Sequence, residues 1–489
     1  MLVIGAGFGG LGMGIQLKRC GRDDFLIVEQ DAGVGGTWWA NRYPGAACDI
    51  PSLLYSFSFA PKHDWTRHYP ERAEIAAYLA DCVERFALAP HLRLRTRVAA
   101  LDWDEEAQRW IAQLQGGGDK PQRITARVVV SATGGLSRPA LPAIAGLDHF
   151  AGPVCHTARW DDRIGGESPA ETPPQRVGVV GTGASAIQLV PQLVARGVEV
   201  TLFLRTPPWI LPRLDRAIGP AERARRARWP LWQRAQRLGV WLLYEARAPG
   251  FTRWPALLRR VESFALARMH RRIPLGPLRD ALTPNYRLGC KRVLVADDFY
   301  PALLQPNARL VTKPIARVEP DGMRMADGTL HVLDALVLAT GFEAAETQAP
   351  RGVRGRGGLA LDDAWRANGP QALLGSTVPG FPNLFLVAGP NTGLGHNSMV
   401  LMIESQISYV LDALAQLDRR GLRVFEPRRS AFDAFNAELQ ARLPRTVWAT
   451  GCRAWYQTAS GRITTLWPGS TLEFRRRTRS FDAQQYELS

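Results

Sequence analysis

Leu2-Val3-Ile4-Gly5-Ala6-Gly7-Phe8-Gly9-Gly10 decides how this chain is read. A short apolar run feeds directly into G-x-G-x-x-G. The glycines Gly5, Gly7, Gly9 and Gly10 permit a tight strand-to-helix turn and let the backbone approach a pyrophosphate at a helix N-terminus. A second apolar strand, residues 25–28, ends at Glu29, nineteen residues past Gly10. An acid at that distance is placed to accept hydrogen bonds from a ribose. These residues predict a dinucleotide-binding βαβ unit at the start of the chain.

The same grammar recurs. Residues 177–180 are apolar and run into Gly181-Thr182-Gly183-Ala184-Ser185-Ala186, and the next strand, residues 199–204, ends at Arg205-Thr206. An acid at the end of that strand suits a free 2′-hydroxyl, whereas an Arg suits a 2′-phosphate. The first unit therefore reads as an FAD site and the second as an NADPH site. Two further apolar strands end in Ala-Thr-Gly, at residues 132–134 and 339–341. The expected fold class is α/β, with two Rossmann-like dinucleotide-binding domains.

Around these motifs the chain is long enough for several cores. At 489 residues it exceeds the roughly 250–300 at which a single core stops growing. We expect residues 1–150 to form the first part of the FAD-binding domain. Residues 151–330 form the NADPH-binding domain, with a helical insertion over about 207–285, and 331–489 complete the FAD-binding domain and carry a C-terminal tail. Residues 107–130 read as a β-hairpin, with strands at 110–114 and 124–130 and a turn at 116–118. Residues 163–174 read as a loop.

Composition excludes several alternatives. The six cysteines (Cys20, Cys48, Cys82, Cys155, Cys290, Cys452) form no C-x-x-C pair and no framework spacing. That argues against a zinc ribbon, a disulfide scaffold and a dithiol redox enzyme, and fits a reducing compartment. No metal site is expected. No apolar run approaches the roughly 18 residues of a membrane span. The first residues lack the basic and apolar regions of a secretory leader, so a cytoplasmic location is expected. The net charge is +16, and only five of the 61 basic residues are Lys. Residues 213–280 alone hold 16 Arg against five acids. No nucleic-acid-binding module accompanies them. Polyanionic cofactors or an acidic membrane surface suit that excess better.

Between the two nucleotide units lies Phe150-Ala-Gly152-Pro-Val-Cys-His156-Thr157-Ala-Arg-Trp160-Asp161, an F-x-G-x-x-x-H-x-x-x-W-[P/D] pattern. In this stretch the chain resembles the Baeyer–Villiger monooxygenases, a class of FAD-dependent monooxygenases. The resemblance extends to Gly35-Gly36-Thr37-Trp38-Trp39-Ala40-Asn41-Arg42-Tyr43-Pro44-Gly45-Ala46, to Cys48-Asp49-Ile50, to Gly289-Cys290-Lys291-Arg292 and to Gly380-Phe381-Pro382-Asn383-Leu384-Phe385. It implies that NADPH reduces FAD and that O2 then forms a C4a-peroxyflavin. That species inserts one oxygen beside the carbonyl of a hydrophobic ketone, giving an ester or lactone. The sister flavin-containing monooxygenases, which oxygenate soft nitrogen or sulfur, usually lack the Trp-Asp ending and stand as the alternative.

Site residues follow from the resemblance position by position. Thr37, Trp38, Asp49 and Tyr55 resemble residues lining FAD, and Val98 matches a backbone contact to its adenine. Thr182, Gly183, Ser185, Gln188, Arg205, Thr206 and Lys291 resemble the NADPH site. Arg292 resembles the catalytic arginine and also contacts cofactor; Asp49 lies near it, and His156 is the third catalytic candidate. Trp455 resembles a C-terminal Trp that closes over the active site. Apart from the resemblance, His396, in the loop Gly395-His396-Asn397, is weighed as a residue that could sit near the flavin, against a purely structural place. A fixed positive charge suits a reaction passing through anions, and arginine keeps its proton at working pH.

Two segments depart from the family pattern: the loop Asn391-Thr-Gly-Leu-Gly-His396-Asn397-Ser398 and the insertion. Within the insertion, residues 228–254 mix Trp229, Trp232, Trp241, Leu242, Leu243 and Trp254 with Arg228, Arg234, Arg237 and Arg247. The expected arrangement is a helical lid whose apolar face packs on the protein. The same composition also suits an interfacial helix making peripheral membrane contact.

Overall fold

The computed structural model describes residues 1–116, 121–165, 174–345 and 349–489. Most of the expected turn at 116–118 and of the expected loop at 163–174 lies outside the described residues.

The strand Leu2–Ile4 is only three residues long, yet it occupies the centre of a five-stranded parallel sheet. Leu26–Val28 pairs with one edge and Val129–Ser131 with the other; Leu92–Arg93 and Leu384–Leu386 complete the sheet. Its three residues are fully enclosed, as expected of a central parallel strand covered on both faces. The helix Phe8–Arg19 follows, and the long helix Met399–Arg420 packs against it. A Cβ at Gly12 would stand 2.9 Å from Ile407 and Phe57, so that small residue sets how closely the helices approach.

A second five-stranded parallel sheet runs in the order Ala308–Val311, Glu199–Phe203, Arg176–Val180, Ala335–Leu338, Val154–His156. The helix Ala184–Ala195 follows its central strand and buries Ile187, Leu189, Val190 and Leu193. The fold is therefore the two-unit α/β arrangement expected from the paired glycine motifs. The second sheet continues beyond residue 330, because Ala335–Leu338 pairs with Arg176–Val180. The chain returns to the first sheet only at Leu384–Leu386.

The expected hairpin is corrected in one respect. Arg109–Gly116 pairs with Gln122–Ala126, but the strand anticipated over 124–130 breaks at Arg127 and Val128. Gln122–Ala126 stays in a four-stranded sheet with Thr96–Asp104, and Val129–Ser131 joins the first nucleotide sheet. An apolar run does not reveal that its two halves pair with different neighbours.

The insertion is helical, as Pro220–Arg228, Pro230–Glu245, Ala248–Thr252, Leu258–Arg272 and Pro277–Leu282. Its inner residues Phe251 and Leu258 join a small core with Trp209, Leu288, Trp448 and Tyr456. The cysteine expectation is also corrected: Cys290 and Cys452, 162 residues apart, form a disulfide. Their spacing carried no signal because the partners come from separate segments, the one before Lys291 and the C-terminal one. The other four cysteines are free thiols. Among the described residues no helix is long and apolar enough to cross a membrane, and no cluster of residues could hold a metal.

Candidate active site

The first cradle forms where Leu2–Ile4 ends. Gly5 adopts φ +101°, and a Cβ there would come 2.7 Å from the Ala132 carbonyl oxygen. At Gly10 a Cβ would fall 1.8 Å from the Gly5 carbonyl oxygen. The turn can close only with glycine at both positions. Gly7 caps the helix Phe8–Arg19 without any side-chain hydrogen bond, which leaves the first-turn N–H groups available to an anion. Glu29 is buried at the end of Leu26–Val28. Its Oε2 accepts from the Ala6 N–H at 2.8 Å and its Oε1 from the Asp31 N–H at 2.9 Å. Burial raises its carboxyl, and those N–H bonds offset part of the rise. Thr37 and Trp38 follow in the short helix Thr37–Ala40, where Trp38 Nε1 donates to the Tyr55 hydroxyl at 3.2 Å. Tyr55 also stacks edge-on against Phe8, at 5.2 Å between ring centres. Val98 lies buried in Thr96–Asp104.

The second cradle repeats the device. A Cβ at Gly181 would meet the Ala339 carbonyl oxygen at 2.3 Å, whereas one at Gly183 would meet nothing within 4 Å. Gly183 caps Ala184–Ala195, again without a side-chain bond. The space before this helix is therefore open, and its N–H groups face it. Thr182 Oγ1 donates to the Thr206 carbonyl at 2.9 Å, which ties the glycine turn to the strand end bearing Arg205. Lys291 lies over the Tyr286 ring at 5.0 Å. Burial, and then the neighbouring Arg205 charge, lower the pKa of its ammonium. Among the described residues neither cation has an acidic partner. Two like charges held near one another without a counterion suit an anion. Gln188 faces the other way. Its Nε2 donates to the Ala47 carbonyl at 3.0 Å and its Oε1 accepts from the Tyr43 hydroxyl at 2.8 Å, so it braces the helix Ala184–Ala195 against the segment before Asp49. Ser185 is the residue after Ala184 in that first turn. The two cradles, closed where a Cβ would collide and lined by uncapped helix N-termini, fit two dinucleotides.

Between these segments Arg292 meets Asp49. Nη2 donates to Asp49 Oδ2 at 2.6 Å and Nε donates to the same oxygen at 3.0 Å. The pair joins residues 243 apart in sequence. The Asp49 charge holds the Arg292 guanidinium above its ordinary value, although burial acts to lower it. The Arg292 side chain is 42 % accessible and borders a hollow. Phe251, Val293, Leu394, Trp448, Trp455 and Leu466 line that hollow beside it. One guanidinium thus stands in a mostly apolar chamber, with two donors engaged by Asp49 and the others turned elsewhere. Cys48 and Tyr55 lie close to the pair, and burial pushes both groups well up, keeping them neutral.

Not every candidate joins this chamber. His156 ends the edge strand Val154–His156, where Nδ1 accepts from the Ala158 N–H at 3.1 Å and the ring packs edge-on to Phe342 at 5.7 Å. It is absent from the lining around Arg292. Burial lowers its pKa, and a neutral ring serves as an acceptor that turns the chain after the strand. His156 thus accepts from its own following turn at the edge of the second sheet and stands apart from the lining around Arg292. His396 is also buried and reaches Glu245 Oε2 at 3.8 Å from Nε2; its neighbour Gly395 lines the hollow. Trp455 does border Arg292 and is tethered three residues earlier by the Cys290–Cys452 bond, whose other half directly precedes Lys291. Phe251, Trp448 and Tyr456 were missed. Isolated aromatics in an insertion and a tail give no pattern that marks them as neighbours.

Comparisons with known proteins agree with this geometry. Residues 2–225 match the family model described as pyridine nucleotide-disulphide oxidoreductase. The chain is 46 % identical over 491 residues to a protein of Pseudomonas aeruginosa named Baeyer-Villiger monooxygenase, with 100 % of this chain and 91 % of the relative covered. A Streptomyces coelicolor protein of the same name is 46 % identical over 488 residues, covering 99 % and 92 %. Among solved structures, that of OTEMO in complex with FAD and NADP superposes with a TM-score of 0.86 at 26 % identity, covering 100 % of this chain and 99 % of that one.

Proposed function

The chain belongs to the Baeyer–Villiger monooxygenase family, and from that premise we propose that it binds FAD and NADPH and uses O2 to insert one oxygen atom beside the carbonyl of a hydrophobic ketone, yielding an ester or lactone. The observation that carries this reading is the Arg292–Asp49 pair at the wall of an apolar hollow between the two cradles.

Residues 5–10, with Glu29 toward the ribose, would hold FAD; Thr37, Trp38, Asp49 and Tyr55 would line it and the Val98 backbone would meet its adenine. Thr182, Gly183 and Ser185 would receive the pyrophosphate of NADPH, with Arg205, Thr206 and Lys291 on its 2′-phosphate. Bound FAD, once reduced by NADPH, supplies the activation of O2.

The protein's own groups do the rest. Arg292 offers a permanent positive charge where negative charge develops on the carbonyl oxygen of the ketone. Asp49 takes two of its donors and fixes its direction without removing its charge. The lining of Phe251, Leu394, Trp448 and Leu466 is apolar and suits an apolar substrate, whose binding would displace water from around that charge and strengthen it. Gln188 holds the Asp49 segment against the NADPH helix. Lys291 and Arg292, adjacent in sequence, thus serve cofactor and substrate respectively. His156 acts as a positioning residue at the edge of the second sheet.

The test is a turnover assay on FAD-loaded protein with NADPH and ¹⁸O₂, offered linear, cyclic and aryl ketones and one thioether. Labelled ester or lactone is the expected product. Labelled sulfoxide with every ketone untouched would assign the protein to heteroatom oxygenation instead.

A further inference from the structure

The helix Pro230–Glu245 turns its four leucines, Leu231, Leu238, Leu242 and Leu243, to solvent. Its protein-facing side carries Gln233, Arg237 and Tyr244. Gln233 Nε2 donates to the Lys62 carbonyl at 2.6 Å. Arg237 Nη1 donates to the carbonyls of Leu53 and Ser56. The Tyr244 hydroxyl shares a 3.0 Å hydrogen bond with the Tyr69 hydroxyl. These polar groups fasten the helix to the body, and Val240, Trp241 and the Tyr244 ring pack against the core beside them. The opposite side is apolar and faces solvent: Leu231 is 75 % exposed, Leu238 55 % and Leu242 54 %. With Ala235 these positions advance by three or four residues, so they form one stripe about 17 Å long. Trp232 and Leu243 widen it, and Trp229, just before the helix, extends it. The lid expected to pack its apolar face on the protein does so through Val240, Trp241 and Tyr244, while its leucines form a second apolar face turned outward.

A contiguous exposed apolar face of this kind marks a partner surface. The charge beside it identifies the partner. Arg225, Arg228, Arg234, Arg247 and Arg253 are exposed around the stripe, while no exposed acid occurs from residue 225 to residue 272. Glu245 and Glu262 lie within that range, but both turn inward, to Thr471 and Arg287. A protein partner would need an apolar groove lined by acids. An anionic bilayer offers hydrocarbon at the centre and negative headgroups at the sides without any such shape. Interfacial tryptophans and guanidiniums on leucine-rich helices suit that boundary.

We propose that the outward face of Pro230–Glu245 docks this protein on the surface of an anionic phospholipid bilayer. The helix lies in the plane of the interface, with Leu231, Leu238 and Leu242 in the acyl boundary and the arginines at phosphate level. The chain runs from this helix directly into Ala248–Thr252, whose Phe251 lines the Arg292 hollow. Docking itself does not depend on the ketone reaction.

The experiment is co-sedimentation of the FAD-loaded full chain with vesicles of phosphatidylcholine alone, or of phosphatidylcholine with about one-third phosphatidylglycerol, at low and high salt. The anionic vesicles should bind the protein, and the neutral ones should bind it far less. The triple variant Leu231→Ser/Leu238→Ser/Leu242→Ser should bind about 100-fold more weakly. Arg228→Gln and Arg234→Gln should each weaken binding about fivefold. None of these residues contacts the site, so turnover of a water-soluble ketone should be unchanged in all of them. Absence of binding to anionic vesicles at low salt overturns the proposal, as does equal binding to both vesicle types. Concentration-dependent self-association without vesicle binding, abolished in the triple variant, would assign the face to a second copy of the chain and overturn it as well.

Discussion

Replacing Arg292 by Ala removes the single charged group in an otherwise apolar lining while leaving both cradles intact. The effect can be bounded from its surroundings. A unit charge about 4 Å from a developing anion contributes about 1 kcal/mol in water and about 4 kcal/mol at the effective dielectric of a protein surface. Arg292 is 42 % accessible, and Asp49 at 2.6 Å cancels part of its field, so a value near the middle, about 2.7 kcal/mol, is appropriate. That is about 100-fold in rate, within the range measured for removal of one preorganised donor. Ester formation per enzyme should therefore fall about 100-fold, while the rate of flavin reduction by NADPH changes less than about threefold, because Lys291 and Arg205 are untouched. Stopped-flow absorbance reads the reduction and chromatography reads the ester. Asp49→Asn keeps the guanidinium charge but loosens its aim, so a smaller loss of about tenfold is expected. Ester formation in Arg292→Ala within a factor of about three of the parent would refute the reasoning. So would loss of flavin reduction in step with ester, which would make Arg292 a cofactor-binding residue only.

Arg205→Ala should raise the KM for NADPH by about 10–100-fold and leave that for NADH within about twofold, since a charged hydrogen bond to the 2′-phosphate is removed; equal changes would refute the 2′-phosphate assignment. Cys452→Ser opens a disulfide spanning 162 residues and should cost about 2–4 kcal/mol in denaturant unfolding. Reductant should destabilise the parent protein by a similar amount and the variant not at all. Burial would raise the Glu245 carboxyl, but the His396 ring 3.8 Å away and bonds from the Thr471 hydroxyl and the Leu472 N–H outweigh it and hold the group down at about 2. A depressed carboxyl stabilises the fold fully above its unfolded value near 4.5 and loses that contribution as pH falls toward about 2. Thermal melts of the parent and Glu245→Gln should differ by about 3 kcal/mol near neutral pH and converge in acid; a constant difference down to pH about 2 would show that the carboxylate is not held in this way.

The division between what was legible and what was not follows the range of each interaction. Glycine turns, apolar strands and the acid or arginine at a strand end are local devices, so the two βαβ units, their order and the contrast between Glu29 and Arg205 could be read directly from the chain. The helices of the insertion were legible for the same reason. Arg292 and Asp49 could be named only by resemblance, since nothing in the spacing of residues 243 apart brings a carboxylate to a guanidinium. The fingerprint singled out His156 without saying whether its ring meets substrate or its own backbone, and only the structure shows its bond to the Ala158 N–H.

Sequence by itself determined the fold class, the two nucleotide cradles and the excess of arginine in the insertion, because each rests on residues within one or two turns of one another. Tertiary structure alone decided which side of Pro230–Glu245 meets water, that Cys290 bonds Cys452, and that Phe251, Trp448 and Trp455 wall one hollow with Arg292. Helical periodicity shows that a helix has two faces, but only the groups packed against it determine which face turns inward. Here Lys62, Leu53, Ser56 and Tyr69 offered hydrogen bonds, which drew Gln233, Arg237 and Tyr244 inward together with Val240 and Trp241 and left the leucines outside.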